Sequence, residues 1–149
     1  MVMHSQTAEK LHLLLNEIEH SIIGMEEIIP LEQAAIDRLN AEEIHKLTAK
    51  RTVLWQELQH CKAQCQLLFQ QHDVPEESEL SLFIDMHLAE DAPALHKQRQ
   101  ELNERIVNIS NSNELNAIRL RAAAESIAET LQGLGLLKTK STYGQDGMM

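Results

Sequence analysis

Three Glu-x-x-His pairs occur in the chain, Glu17 with His20, Glu42 with His45 and Glu57 with His60. On a helix this spacing presents a carboxylate and an imidazole together, the arrangement from which helical bundles build di-iron centres. Cys61 and Cys65 place two thiols about one turn apart, and Asn113 and Asn116 do the same for two amides. The corresponding chemistries are metal-dependent oxidation, thiol ligation and amide hydrogen bonding to a partner. Which of them is available depends on where each helix turns these side chains, and the apolar periodicity around them sets that direction.

From Leu11 the apolar residues recur at Leu15, Ile18, Ile22, Met25 and Ile29, and Glu32 interrupts the series before Ile36 and Leu39. Alternating steps of four and three make this a heptad seam. Pro30 lies inside it, removing one backbone hydrogen bond and bending the helix without having to end it. A second seam runs Ile44, Leu47, Arg51, Leu54, Leu58, Cys61, Cys65 and Leu68, with Arg51 as its polar exception. Asn40 followed by Glu43 has the pattern of a helix start, the Asn side chain accepting from a free backbone amide while the Glu reaches back. An αα-hairpin turning near Asn40 is therefore expected. Laid antiparallel with Leu39 opposite Ile44, the two seams bring their polar exceptions to one level. Glu32 and Arg51 are expected to form an ion pair that sets the register at some cost in stability.

The same phase decides the chemistry. His20 falls at f of its heptad, His60 at c and His45 at b, all away from the seams, so the Glu-x-x-His pairs read as solvated side chains sharing no interior, and no metal site is expected. Cys61 and Cys65 lie on the seam and read as buried small hydrophobes; two residues so placed on one helix are poorly set to bridge each other, so free thiols are expected. The chain has no Gly-rich phosphate loop, no Gly-x-Ser-x-Gly elbow and no positional Ser, His and Asp set. A rod of paired helices also provides few concave pockets, so no catalytic residue and no cofactor is expected.

Beyond Phe69 the polarity rises, and Asp73, Pro75, Glu76 and Glu77 read as a cap, a first-turn proline and dipole-complementing acids. Leu80, Phe83, Ile84 and His87 then make a short helix. Asp91 and Pro93 restart the chain into a long final helix with seam positions Leu95, Leu102, Ile106, Ile109, Asn113, Asn116, Leu120, Ala123 and Ile127, followed by Leu131 and Leu134. Gly133 and Gly135 are expected to fray its end. The expected fold is all-α, an elongated antiparallel helical hairpin and coiled-coil bundle with a long C-terminal helix. Residues 1–137 form one domain, and 138–149, without periodicity, a flexible, disordered tail.

Composition narrows the function. The chain has 149 residues with 13 Lys and Arg against 23 Asp and Glu, a net charge of −10. Nucleic-acid binding requires clustered bases that this surface lacks, so no nucleic-acid partner is expected. No apolar run approaches the ~20 residues of a membrane span and the N-terminus has no secretory pattern, so a cytoplasmic protein without membrane insertion is expected. Asn113 and Asn116, at successive seam positions, either set register inside the bundle or hydrogen-bond a partner helix. Ile118, Leu120, Ile127, Leu131, Leu134, Leu136 and Leu137 are too many for one seam, and their excess near an open end reads as a strip for an amphipathic helix of another protein.

The segment Leu31-Glu32-Gln33-Ala34-Ala35-Ile36 with Leu39, Leu47, Lys50 and Leu54 resembles the hairpin of the FlgN family of flagellar type III export chaperones. Asn113-Glu114-Leu115-Asn116 resembles that family's Asn-x-x-Asn, and Thr142 to Gly147 its C-terminal Tyr-Gly-x-x-Gly. Ala117 stands where the family often has Gly. The resemblance implies a cytoplasmic chaperone that binds the hook-associated proteins FlgK and FlgL through their terminal helical segments, prevents premature assembly and delivers them to the export apparatus. It also implies that the C-terminal part holds the client and that Tyr143 contacts the export gate and ATPase complex. The competing expectation is a structural coiled-coil adaptor or self-associating scaffold, whose strip would make a homo-oligomer.

Overall fold

The computed structural model describes residues 2–75 and 78–136. Helix α1 spans Val2–Asp37, α2 Ala41–Gln71, α3 Leu80–His87 and α4 Ala92–Gly133, with a single 3-10 turn, Ala89–Asp91, before α4. No strand occurs among the described residues. Pro30 sits inside α1, which continues for seven further residues.

Helices α1 and α2 form the antiparallel hairpin. At the turn, Asn40 caps α2 by accepting from the backbone N–H of Glu43 at 3.1 Å. Asn40→Ala is expected to lower stability by about 1 kcal/mol, the usual worth of such a cap, read as a lower urea midpoint with unchanged slope. Three helices end in the same way. The N–H of Asn40 returns to Ala35, that of Val74 to Phe69 and that of Leu136 to Leu131, while Leu39, Asp73 and Gly135 take left-handed φ angles of 57°, 59° and 76°. Leu39 is therefore not a seam residue. The reversal turns its side chain outward, 55% exposed. Gly135 likewise closes α4 with a defined cap where fraying was expected. The start of α3 also differs from expectation, because Leu80 follows Glu79 as N-cap and Asp73 instead terminates α2.

Helix α1 is the centre of the molecule, with α2 and α4 both packed on it. Its seam residues Leu11, Leu15, Ile22, Met25 and Ile36 are buried, and so are the adjacent Ala8, Ser21, Ile28 and Ala35, because two neighbours cover a wider arc than one seam. Phe69, Phe83, Ile84, Leu88 and Leu95 close the core where α3 crosses from α2 to α4. Helix α4 then runs parallel to α1. His12 meets Gln98, Glu19 and Glu26 meet Arg105, and Glu32 meets Asn116, partners separated by 79 to 86 residues and rising together along both helices.

Arg105 is the main ionic tie of α4, bonding Glu26 at 2.6 Å and Glu19 at 3.1 Å. Its hydrogen bond is the largest influence and holds the Glu26 carboxyl below the ordinary 4.5, burial opposing it and the guanidinium charge adding to it. A carboxyl depressed by folding stabilises the fold above its unfolded pKa and loses that contribution as pH falls through its folded pKa. Unfolding midpoints measured below pH 4.5 should therefore fall more steeply for the parent than for Glu26→Gln, and parallel curves would contradict this.

Candidate functional site

The hairpin stops at Asn40, but α4 does not. By the offset of its cross-helix partners, the level of Asp37 on α1 is reached near residue 120 of α4, so roughly 12 residues, about 18 Å of helix, extend past the turn. Nothing of α1 or α2 lies beside them. Burial along α4 follows this limit, with Leu95, Leu102, Ile109 and Asn116 buried and no later position buried among those described. Ile118, Leu120, Ile127, Leu134 and Leu136 are exposed, and Leu131 is half-buried. Leu120 and Ile127 belong to the apolar seam of α4 and lack a partner. Leu137 and Tyr143 lie outside the described residues.

A polar junction marks the base of this overhang. Arg51 of α2 pairs with Glu32 of α1, whose side chain is 7% exposed. Asn116 of α4 donates from Nδ2 to the other Glu32 oxygen at 3.1 Å and to the Ile29 carbonyl at 3.2 Å, and its Oδ1 accepts from Arg119 at 3.0 Å. The junction thus joins all three long helices through one buried carboxylate. The amide of Asn116 is fully engaged here at 2% exposure, which takes it out of the set of groups open to a partner. This corrects the partner-contact assignment, since antiparallel pairing of α1 with α2 and parallel packing of α4 bring Glu32 directly beneath it. Asn113, one turn earlier, is half-buried. Arg119 was not singled out in the sequence, although its spacing of three from Asn116 places both on one helix face.

The remaining chemistry is distributed as follows. His20, His45 and His60 are exposed, and no group of three His, Cys, Asp or Glu able to hold a metal ion occurs among the described residues. Cys61 is buried and Cys65 half-buried, both free. Burial, and next the charge of Cys61, push the Cys65 thiol up to about 11, leaving it largely un-ionised at neutral pH. No helix among the described residues is long and apolar enough to cross a membrane.

A model of the family described as FlgN protein matches residues 1–149. The chain belongs to the FlgN family. Neither a curated protein nor a solved structure matches it. As an FlgN-family protein it has a general role as a flagellar export chaperone. The overhang of α4 is a part of this FlgN fold whose apolar residues are left without internal partners.

Proposed function

We propose that this FlgN-family chain is a cytoplasmic chaperone that holds the hook-associated proteins FlgK and FlgL by their terminal helical segments, keeps them from assembling prematurely and delivers them to the type III export apparatus. The observation that carries the reading is the apolar strip on the unsupported end of α4, formed by Ile118, Leu120, Ile127, Leu131 and Leu134. An amphipathic segment of the client, disordered before assembly, folds along this strip and completes the packing that the hairpin stops short of. Ordering the client costs several kcal/mol, which keeps affinity moderate and release feasible. Asn116 and the Glu32–Arg51 pair act from beneath, holding α4 in register on the hairpin so that the overhang is presented at a defined angle. Asn113 and Leu136 flank the strip, and Leu137 continues it in sequence. Tyr143 follows as the contact for the export gate.

Calorimetric titration with C-terminal segments of FlgK and FlgL tests this. Binding at micromolar or tighter Kd, on the order of −8 kcal/mol, is expected, and a form ending at Gly135 should retain it if the helix holds the client. Absence of binding, together with concentration-dependent self-association, would instead identify an adaptor or scaffold that covers the strip with its own copies.

A further inference from the structure

The hairpin carries a second unoccupied surface, and α4 contributes nothing to it. Three depressions run along the α1/α2 boundary and share lining residues, Leu13 and Glu17 joining the first to the second and Val53 joining the first to the third. The central one is a cavity of about 740 Å³ whose walls include Leu13, Glu17, His20, Val53, Glu57 and Cys61. Toward the turn the groove passes Gly24, where the absence of a side chain lets Leu54 approach so closely that a Cβ would lie 3.0 Å from its methyl groups. Along α1 the walls extend from Lys10 to Leu31, about 32 Å at 1.5 Å per residue, enough for a helix of some 20 residues. Paired helices were expected to offer few concave surfaces. Here the rims, Leu13, Leu31, Val53 and Leu67, stay exposed and stand above a floor of smaller or inward-turned groups.

The electrostatics of the groove identify its occupant. Glu57 accepts from the Ser21 hydroxyl at 3.1 Å and Glu17 from the Cys61 thiol at 3.8 Å, both neutral donors. Among the described residues no cation pairs with either carboxylate, whereas Arg51 and Arg105 are engaged with Glu32, Glu19 and Glu26. Both negative charges are felt inside the groove, since Glu17 and Glu57 add to burial in raising the Cys61 thiol. Although His20 and His60 share the cavity, the donors do not converge on a metal position. Lys10 and Lys50 line the two outer depressions and no Lys or Arg lines the central one, so an organic cation is the match for Glu17 and Glu57 there, and apolar rims on both sides call for apolar neighbours around it.

We propose that the α1/α2 groove docks an amphipathic helix of a partner protein, with Lys or Arg facing Glu17 and Glu57 and aliphatic residues one turn away against Leu13 and Val53. This is helix-in-groove recognition with a charge-assisted anchor. The surface lies on a different helix pair from the α4 strip, so both can be occupied at once.

The test uses the full chain and a 20-residue peptide with leucines at i, i+3, i+4 and i+7 and lysines between them, followed by fluorescence anisotropy and amide NMR shifts. The largest shifts are expected at Ser21, Gly24 and Cys61. Glu17→Gln with Glu57→Gln should weaken binding at least tenfold, as should Leu13→Ser with Val53→Ser. Glu125→Gln with Glu129→Gln, which removes equal charge from α4, should leave it unchanged. The substituted side chains are exposed or surface-facing, and urea midpoints of all variants check the fold. The proposal is overturned if the Glu17/Glu57 variant binds within twofold of the parent, if a peptide with glutamates for lysines binds equally, or if the shifts fall on α4. Self-association abolished by Leu13→Ser with Val53→Ser would assign the groove to a second copy and overturn it as well.

Discussion

Replacing Ile127 and Leu131 together by aspartate is expected to reduce binding of hook-associated C-terminal segments at least 100-fold while leaving the hairpin folded. Ile127 is 43% exposed and Leu131 half-buried on a stretch of α4 that touches neither α1 nor α2, so the fold does not depend on them. In a complex they would face an apolar client stripe, and two carboxylates buried there without partners would remain desolvated and unpaired. Each apolar side chain removed also forfeits roughly 1.5–3 kcal/mol of burial, so a loss of two decades, about 2.7 kcal/mol, is a lower bound. Calorimetry with the same client segments, beside urea unfolding of the free variant, measures both halves of the expectation. Undiminished affinity would move the client off this strip, whatever happens at the hairpin groove.

The second large effect concerns the junction. Arg51→Met should destabilise the fold by about 3 kcal/mol, the lower end of the range for breaking a buried pair, because it leaves the Glu32 carboxylate buried with only the Asn116 amide beside it. The lower end applies since 26% of the Arg51 side chain remains in solvent. Replacing all three partners, Glu32→Met, Arg51→Met and Asn116→Leu, should restore stability to within about 1 kcal/mol of the parent or exceed it, since apolar groups of similar volume fill the space without desolvated charge. If the junction sets the seating of α4, the triple variant should exchange its amides between Asn113 and Leu120 faster despite that stability. Urea unfolding and hydrogen exchange on the parent and both variants report the two properties separately. A single Arg51→Met variant within 0.5 kcal/mol of the parent, an amount typical of a surface substitution, would show that the pair carries no such weight.

Much of this architecture was legible because helical periodicity is local. The seams from Leu11 to Ile36 and from Ile44 to Leu68, and the Asn40 cap, are written in spacings of three and four residues, and a repeating pattern of that kind leaves few foldings of a short hairpin. The excess of apolar residues after Asn116 was equally visible, as a count that no single seam could absorb. Three features escaped. The left-handed Leu39 and Asp73 carry no glycine signal, so the ends of α1 and α2 came from backbone hydrogen bonding that residue type did not announce. The groove holding Glu17 and Glu57 required knowing that positions outside both heptad seams nevertheless meet across the hairpin.

The sequence by itself determined that the chain is helical, where its hairpin turns, that Glu32 and Arg51 fall at one level, and which residues would form an apolar strip near its end. Tertiary structure decided that α1 is the central helix, that α4 runs parallel to it and outlasts it, and that the Asn116 amide is committed to Glu32 inside the bundle. The division has a physical cause. Periodicity fixes which face of a helix is apolar, but which neighbour covers that face, and for how far along its length, depends on the relative placement of helices whose contacts are separated by about 80 residues of chain.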